Sequence, residues 1–161
     1  MAPYVIRPFV PEDAPGVQSL VITVQHEHGV KITLADQPDL FDIPGFYRKG
    51  AGNFWVAVDD HQNVIGSIAI VDLGNGDVAL RKVFLAPNQR GSGIAQELMN
   101  TVYAWMRTQG CHSIYLGTIG ILKAAIRFYI KNGFEIVAKS ALPSAFPIMS
   151  TDDVFMSKKG I

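Results

Sequence analysis

Residues 77–110 contain a strand-like segment, a glycine-rich turn and a helix-like segment in direct succession. Residues 77–85 are rich in β-forming side chains, and the turn sequence Arg90-Gly91-Ser92-Gly93 follows a few positions later. From Ile94 the apolar residues recur with a helical period, and this pattern stops at Gly110, a residue suited to a left-handed helix cap. A tight turn between a strand and an amphipathic helix predicts an α/β structure.

The rest of the chain alternates between the same two patterns, without internal repeats or a long linker. The strand-like segments are 4–7, 54–58, 64–71, 77–85, 113–116, 134–138 and 153–157, and the helical segments are 12–25, 94–109 and 122–132. Residues 26–50 are the least regular stretch, with one helical turn expected near Leu40. Because the middle strands lie close together in sequence, the pattern predicts an α/β fold with a mixed, mostly antiparallel sheet and helices on both faces.

The strand-like segment 77–85 changes its alternation partway along. Its apolar residues stand at even positions up to residue 80 and at odd positions from residue 83, with Arg81 and Lys82 between. A shift of one residue within one strand is what a β-bulge produces, and a strand buried on both faces is the alternative. We predict a bulge at Arg81-Lys82, with this strand diverging from the strand at 113–117 beyond it.

Composition and charge exclude several classes of protein. The 161 residues are 48% hydrophobic and 17% charged, which excludes a disordered chain and fits one domain over residues 1–161. The 14 Lys and Arg residues balance the 14 Asp and Glu residues, and the apolar runs are short, so we expect no nucleic-acid or membrane partner. The single Cys111, and an N-terminus without the basic and apolar regions of a secretory signal, predict a cytoplasmic protein. We expect it to be either a monomer or a homodimer.

The turn before the second helical segment has the composition of an anion site. Its glycines leave backbone N–H groups uncovered, the helix start adds unpaired donors, and Arg90 adds a cation, which suits a phosphate. A P-loop requires Lys after the second glycine, where Ile94 stands, and a dinucleotide fingerprint requires a small residue at position 96, which is Gln. The pattern Arg-x-x-Gly-x-Ala of acyl-CoA transferases fits residues 90–95 throughout. A glycine-rich turn without a ligand is the alternative.

Two blocks of the sequence resemble the GNAT superfamily of acyl-CoA N-acyltransferases. Residues 83–95 are similar to its central motif, and residues 124–134 are similar to its late helix and the strand after it. The resemblance implies a V-shaped opening between the fourth and fifth strands, where the pantetheine arm of acetyl-CoA pairs with the fourth strand and the loop holds the pyrophosphate. The cofactor-binding residues that it implies are Val83, Phe84, Leu85, Arg90, Gly91, Ser92, Gly93, Ile94 and Ala95.

The resemblance also implies a catalytic tyrosine. Tyr129 matches the family's tyrosine, whose hydroxyl delivers a proton to the departing thiolate; a half-buried aromatic on an amphipathic helix is the alternative. The chain departs from the family's pattern at Ala79, where many members have a glutamate base, and at Leu122, where many have an asparagine. We therefore expect the proton of the amine to pass to Glu27, which follows the first helix, to Asp77 or to an ordered water chain.

The functional prediction is an N-acetyltransferase that moves acetyl from acetyl-CoA to a primary amine of a small molecule or peptide, by direct attack in a ternary complex. A backbone N–H near Val83 is expected to stabilise the oxyanion. We expect no metal, because the two histidines beside Glu27 have no third ligand nearby in sequence. A catalytically idle CoA-binding or regulatory module is one alternative, and a nucleotide-binding domain of another fold is a second. Segments 26–50 and 139–152, where the acceptor is expected to bind, contain no diagnostic motif.

Overall fold

Across residues 3–161, which the computed structural model describes, one sheet of seven strands carries helices on both faces. The strands are β1 (Tyr4–Pro8), β2 (Asn53–Asp59), β3 (Val64–Gly74), β4 (Asp77–Leu85), β5 (Ser113–Thr118), β6 (Glu135–Val137) and β7 (Val154–Lys159), and the helices are α1 (Ala14–Glu27), α2 (Ile43–Tyr47), α3 (Ile94–Thr108) and α4 (Lys123–Lys131). The strand order is β1-β2-β3-β4-β5-β7-β6. Within the described residues only β4 and β5 pair in parallel, which confirms the predicted mixed, mostly antiparallel sheet.

The alternation of side chains along β3 separates the two layers of the core. Ile68 and Ile70 point to one face, where they join a buried apolar cluster with residues of α3 and α4. Ala69 points to the opposite face, where it packs with residues of α1 and α2. Complete burial of an isoleucine side chain stabilises the fold by about 1.5–3 kcal/mol, so these two clusters hold the helices against the sheet. We call the layer of α3 and α4 the α3 face, and the layer of α1 and α2 the α1 face.

The predicted bulge lies in β4. Ser67 of β3 pairs with Phe84, and Ala69 pairs with Arg81, so two residues of β4 oppose one residue of β3. Lys82, at the bulge, has a φ of 55°, an unusual value for a residue other than glycine. The Ser67 hydroxyl donates a hydrogen bond of 2.8 Å to the Lys82 carbonyl oxygen and holds this conformation in place. The bulge lies at Lys82-Val83, since Arg81 is paired, so the interruption of the apolar alternation predicted its position to within about one residue.

The strands β4 and β5 diverge, as the sequence predicted. Their parallel pairing covers only Asp77 to Ala79 against Ser113 to Tyr115. Beyond Ala79, β4 continues to pair with β3 alone, and β5 continues to pair with β7 as far as Thr118. The two strands therefore form a V-shaped opening whose apex lies just after the Ala79–Tyr115 pair.

The segment between α1 and β2 is more regular than its composition predicted. It contains two 3-10 turns, Leu34–Asp36 and Pro38–Phe41, followed by α2, and the second turn confirms the one expected near residue 40. The Asp36 carboxylate accepts a 3.0 Å hydrogen bond from the Thr33 N–H, and the Asp42 carboxylate accepts one of 3.1 Å from the Gly45 N–H. Such local side-chain caps stabilise turns without producing a hydrophobic period.

The three predicted helices correspond to α1, α3 and α4, and they differ from them only at their ends. A 3-10 turn, Pro11–Asp13, precedes α1, and α4 is one residue shorter than predicted at each end. In the described part of the chain, none of the helices combines the length and the apolar character needed to cross a membrane.

Candidate active site

A cleft of about 690 Å³ occupies the opening between β4 and β5. The diverging strands supply two of its walls, with residues 80–84 of β4 and 116–119 at the end of β5. Tyr129 of α4 reaches it from the α3 face, while residues of the α1–α2 segment and of the loop before β7 reach it from the α1 face. The cleft is therefore lined from both faces of the sheet, and a ligand in it can contact residues of both.

The glycine loop between β4 and α3 has the geometry of an anion site. Gly91 and Gly93 have φ values of 78° and 87°, and Gly93 is the residue that precedes the first turn of α3. Within the described residues the N–H groups of Gly91 and Gly93 donate to no other group, and the first turn of α3 adds N–H groups, including those of Ile94 and Ala95, that lack partners inside the helix. The aligned peptide dipoles of α3 further favour a negative charge at this end.

Ser92 is turned back toward its own loop. Its N–H donates a 3.3 Å hydrogen bond to the carbonyl oxygen of Gln89, and its hydroxyl donates to the same oxygen. These bonds fix the turn between the two glycines. In this conformation the loop presents the glycine N–H groups, rather than the Ser92 side chain, to an incoming anion.

Arg90 of this loop is paired with Glu27 at the end of α1. Two guanidinium nitrogens of Arg90 donate hydrogen bonds of 2.8 and 2.6 Å to the two carboxylate oxygens of Glu27. The bonds from Arg90 hold the pKa of the Glu27 carboxyl below its usual value. Of the residues that the structure describes, Gln25 and His28 line the cleft on either side of Glu27, but Glu27 itself does not. The pair thus joins α1 to the glycine loop, and the assignment of Glu27 as the base stays a prediction.

The edge of β4 that faces the opening has backbone groups without a strand partner. Phe84 and Leu85 pair only with β3, and Val83 belongs to the bulge, so none of the three pairs with β5, which has already diverged. The side chains of Val83 and Leu85 pack on the α3 face, and that of Phe84 packs on the α1 face. Both Val83 and Phe84 line the cleft. An extended ligand along this edge can therefore pair with the β4 backbone as a further strand does.

Tyr129 lies near the apex of the cleft and is 7% exposed. Its ring packs against Phe128 of the same helix and Phe134 just after it, with centroid distances of 5.7 and 5.6 Å. No other residue of the described part of the chain hydrogen-bonds its hydroxyl. Burial raises the pKa of Tyr129, and the negative charge of Asp152 raises it further. The phenol is therefore protonated at neutral pH, as a proton donor must be.

A buried polar network on the α1 face had no counterpart in the sequence analysis. The Tyr47 hydroxyl donates a 2.5 Å hydrogen bond to the Asp39 carboxylate, and the Lys82 ammonium lies 3.6 Å from the same oxygen. Lys82 also donates a 2.6 Å hydrogen bond to the side-chain oxygen of Gln37. Two further hydrogen bonds join the side-chain amides of Gln37 and Gln25. The side chains of Lys82 and Asp39 are only 8% and 7% exposed. The bulge in β4 therefore places a buried cation in the cleft, on the α1 face.

Asp152 and Arg81 also reach the cleft from the α1 face, and the sequence analysis gave neither of them a role in the site. Asp152 precedes β7, and its carboxylate lies over the backbone of Gly117 in β5: a Cβ at residue 117 would stand 2.5 Å from Oδ2. Burial raises the pKa of the Asp152 carboxyl, an effect that the charge of Arg81 opposes. Two adjacent acidic residues after a proline-containing loop are common in surface turns, so the sequence alone carried no signal for this site.

The other positions considered from sequence lie away from the cleft or carry no acid. Asp77 begins β4 at the paired end, against Ser113, and is absent from the cleft lining within the described residues. Ala79 is completely buried in an apolar cluster with Tyr115 and Phe146. No three His, Cys, Asp or Glu side chains within residues 3–161 are grouped so that they could hold a metal ion. His26 instead places a ring nitrogen 3.0 Å from the carbonyl oxygen of residue 32.

Comparison with known proteins places the chain in one family. Residues 23–134 match the model of the acetyltransferase (GNAT) family. The chain is 30% identical over 138 residues to the uncharacterized N-acetyltransferase YjgM of Escherichia coli, covering 81% of each protein. It is 34% identical over 107 residues to a probable N-acetyltransferase, family 8 member 5, of Mus musculus, but it covers only 47% of that protein's length. The mouse protein therefore extends well beyond the aligned region.

Solved structures support the same relationship. The crystal structure of an acetyltransferase of the GNAT family from Staphylococcus aureus Mu50 superposes with a TM-score of 0.93 at 32% identity, covering 98% of this chain and 99% of that one. The family match extends from the end of α1 to the residue before β6, so it includes the glycine loop and Tyr129. The resemblance seen in residues 83–95 and 124–134 is thus confirmed, and the chain belongs to the GNAT acetyltransferase family.

Proposed function

We propose that this protein transfers the acetyl group of acetyl-CoA to a primary amine by direct attack within a ternary complex. The observation that carries the proposal is the opening between β4 and β5, which joins an unpaired strand edge, a glycine loop at a helix start and a buried tyrosine. Each of these three features suits a different part of acetyl-CoA. The family membership of the chain supports the same assignment.

In this proposal the donor lies along β4. The pantetheine arm pairs with the backbone of Val83 and Leu85, as a further strand does. The pyrophosphate accepts hydrogen bonds from the N–H groups of residues 91–95 at the start of α3. Arg90 adds a cation beside them, oriented by its ion pair with Glu27. The thioester then lies at the apex of the opening, next to Tyr129.

The reaction needs one nucleophile and two proton transfers. The amine nitrogen attacks the thioester carbonyl carbon, and a backbone N–H near Val83 stabilises the oxyanion that forms. The C–S bond then breaks, and the Tyr129 hydroxyl donates its proton to the departing thiolate. The nitrogen loses a proton to a base, so the products are an N-acetylated amine and the free thiol of CoA. Because burial raises the pKa of Tyr129, its hydroxyl carries a proton at neutral pH and can act as the donor.

One observation favours a second function, a CoA-binding module without turnover. Ala79 stands where many family members have a glutamate base, and it is surrounded by apolar side chains. In such a module the loop would bind CoA, but no group would activate an amine.

Two measurements on the wild-type protein separate these functions. Isothermal titration calorimetry with acetyl-CoA measures binding, and a thiol reagent measures free CoA released in the presence of a panel of amines, amino acids and peptides. We expect binding together with amine-dependent thiol release and an acetylated product detected by mass spectrometry. Binding without release with any acceptor indicates the module. Absence of binding contradicts both functions.

A further inference from the structure

Two side chains of opposite charge line the cleft on the α1 face, and neither has a partner among the residues that the structure describes. Asp152 and Arg81 are both half-buried and line the cleft. Within residues 3–161 neither side chain forms a hydrogen bond or an ion pair, with each other or with any neighbour. A charge removed from water costs free energy unless something pairs with it. A ligand with both an anionic and a cationic group can pair with each of them.

The neighbouring charged groups already have partners. Lys82 is bonded to Gln37 and lies beside Asp39, whose carboxylate also accepts the Tyr47 hydroxyl. Asp153, the residue after Asp152, accepts a 2.7 Å hydrogen bond from the Gly120 N–H. Among the charged residues near the apex, Arg81 and Asp152 therefore stand out as groups still available to a ligand.

The position of Asp152 is set by a glycine. Its carboxylate rests on Gly117, the second residue of β5 beyond the last pair with β4, so it lies at the apex of the opening. Any larger residue at 117 would place its Cβ 2.5 Å from Oδ2 and 3.1 Å from Cγ of Asp152. Asp152 and Tyr129 approach the apex from opposite faces of the sheet, and they are near enough for the charge of Asp152 to act on Tyr129.

Arg81 lies on the same face as Asp152. It is the β4 residue two positions after Ala79, so it too stands just beyond the last β4–β5 pair. Its charge acts on Asp152, on Lys82 and on Tyr47, which places it among the polar groups of the α1 face. A guanidinium offers a planar set of N–H donors that matches a carboxylate with two parallel hydrogen bonds.

We propose that Asp152 and Arg81 form the acceptor subsite, and that the acceptor is a small amino acid whose amine contacts Asp152 and whose carboxylate binds Arg81. This inference rests on the acetyl transfer proposed above. Asp152 holds the amine at the apex. As the N–C bond forms, the nitrogen releases a proton to the Asp152 carboxylate, and as the C–S bond breaks, the sulfur receives a proton from Tyr129. Solvent then removes the proton from Asp152 and restores the one on Tyr129.

The test compares matched acceptors on the wild-type protein and two variants. Each amino acid is paired with the amine that results from its decarboxylation, and kcat/KM is measured for both by thiol release at saturating acetyl-CoA. For the wild-type protein we expect the amino acid to be preferred by about 10- to 100-fold, the range for hydrogen bonds between charged groups. Arg81→Gln is expected to bring the ratio of the two kcat/KM values close to one.

Asp152→Asn tests the proton transfer separately. It is expected to lower kcat/KM for amino acids by about 10²–10⁴, the usual range for loss of a general base, with little change in the calorimetric affinity for acetyl-CoA. Asp153→Asn removes a charge from the adjacent residue, outside the proposed site, and is the matched control. Circular dichroism and the unchanged acetyl-CoA affinity verify that each variant is folded, and Arg81→Met, which also removes the positive charge, replaces Arg81→Gln if the latter fails to fold.

The outcomes distinguish this inference from the proposed function. Equal kcat/KM for amino acids and their decarboxylated amines, or a preference that survives in Arg81→Gln, overturns the acceptor class while acetyl transfer stands. Wild-type kcat/KM in Asp152→Asn overturns Asp152 as the base. Absence of acetyl-CoA binding or of any turnover in the wild-type protein overturns the proposed function and this inference with it.

Discussion

The two sides of the cleft are built in different ways. The side that we propose for acetyl-CoA, the donor side, consists of backbone groups from one continuous stretch, the β4 edge and the glycine loop of residues 83–95. The side that we propose for the amine, the acceptor side, consists of side chains from distant segments, with Asp39 before α2, Arg81 and Lys82 next to each other in β4, and Asp152 before β7. A site made of backbone N–H groups tolerates many sequences as long as its glycines remain. A site made of side chains changes with each substitution, so it is the side that can set the acceptor.

The two sides also depend on different physical terms. The donor loop relies on two glycines in the left-handed conformation and on N–H groups that pair with no other group of residues 3–161. The acceptor side relies on a buried cation, carboxylate and phenol that pair with one another. Substitutions in the loop are therefore expected to change ligand affinity more than stability, and substitutions in the buried network to change stability more than affinity for CoA.

The largest effect on the affinity for acetyl-CoA is expected on the donor side, from Gly93→Val. A side chain at 93 obstructs the approach of the pyrophosphate to the loop, and losing two charge-assisted hydrogen bonds lowers affinity by about 100-fold or more. Calorimetry with acetyl-CoA measures the loss. Gly110→Val is the matched control, because Gly110 lies just beyond the other end of α3, also has a positive φ (72°) and likewise has no atom within 4 Å of its Cβ position. Equal affinities of both variants for acetyl-CoA contradict the loop assignment.

An effect on stability, rather than on acetyl-CoA affinity, is expected on the acceptor side, from Lys82→Met. Removing the cation leaves the buried carboxylate of Asp39 without its ionic partner, and breaking such a pair costs about 3–5 kcal/mol. Urea unfolding measures this loss in the free energy of unfolding. Lys139→Met, at an exposed position, is the control and is expected to change stability by no more than about 0.5 kcal/mol. If Lys82→Met is as stable as this control, the buried network is not what holds the acceptor side together.

The smallest effect is expected where the two sides are joined, from Glu27→Gln. The pair with Arg90 is exposed, so its loss is expected to weaken acetyl-CoA binding by no more than about fivefold and to leave most of kcat intact. Calorimetry and steady-state kinetics measure the two quantities. A fall in kcat of about 100-fold or more at unchanged affinity contradicts this expectation and identifies Glu27 as the base.

Local patterns predicted most of the fold. The period of α3 and the shift of alternation near Arg81-Lys82 both depend on neighbours in sequence, and the structure contains the helix and the bulge. The donor loop belongs to the same class, since one short stretch holds all of its groups. A sequence motif suffices for such a site because its geometry follows from glycines and a helix start.

The sequence analysis named segments 26–50 and 139–152 for the acceptor, but it could not predict the side-chain contacts there, because these contacts join distant segments. Lys82 bonds to Gln37 across 45 positions, and Arg90 bonds to Glu27 across 63. Asp152 acquires its position from Gly117, a contact between a loop and a strand that no local pattern indicates. Glu27 shows the same limit: the sequence could not indicate its pairing with Arg90, and its assignment as the base stays a prediction.

The most direct test of the account is kcat for Tyr129→Phe, measured with the best acceptor and saturating acetyl-CoA. The change removes the hydroxyl and keeps the ring packed against Phe134. If the hydroxyl protonates the leaving thiolate, kcat and kcat/KM fall together by about 10²–10⁴ while the affinity for acetyl-CoA stays the same. Tyr103→Phe, a tyrosine on α3 whose hydroxyl bonds Asn132 away from the cleft, is the matched control and is expected to keep wild-type kcat. A Tyr129→Phe protein with wild-type kcat contradicts the account.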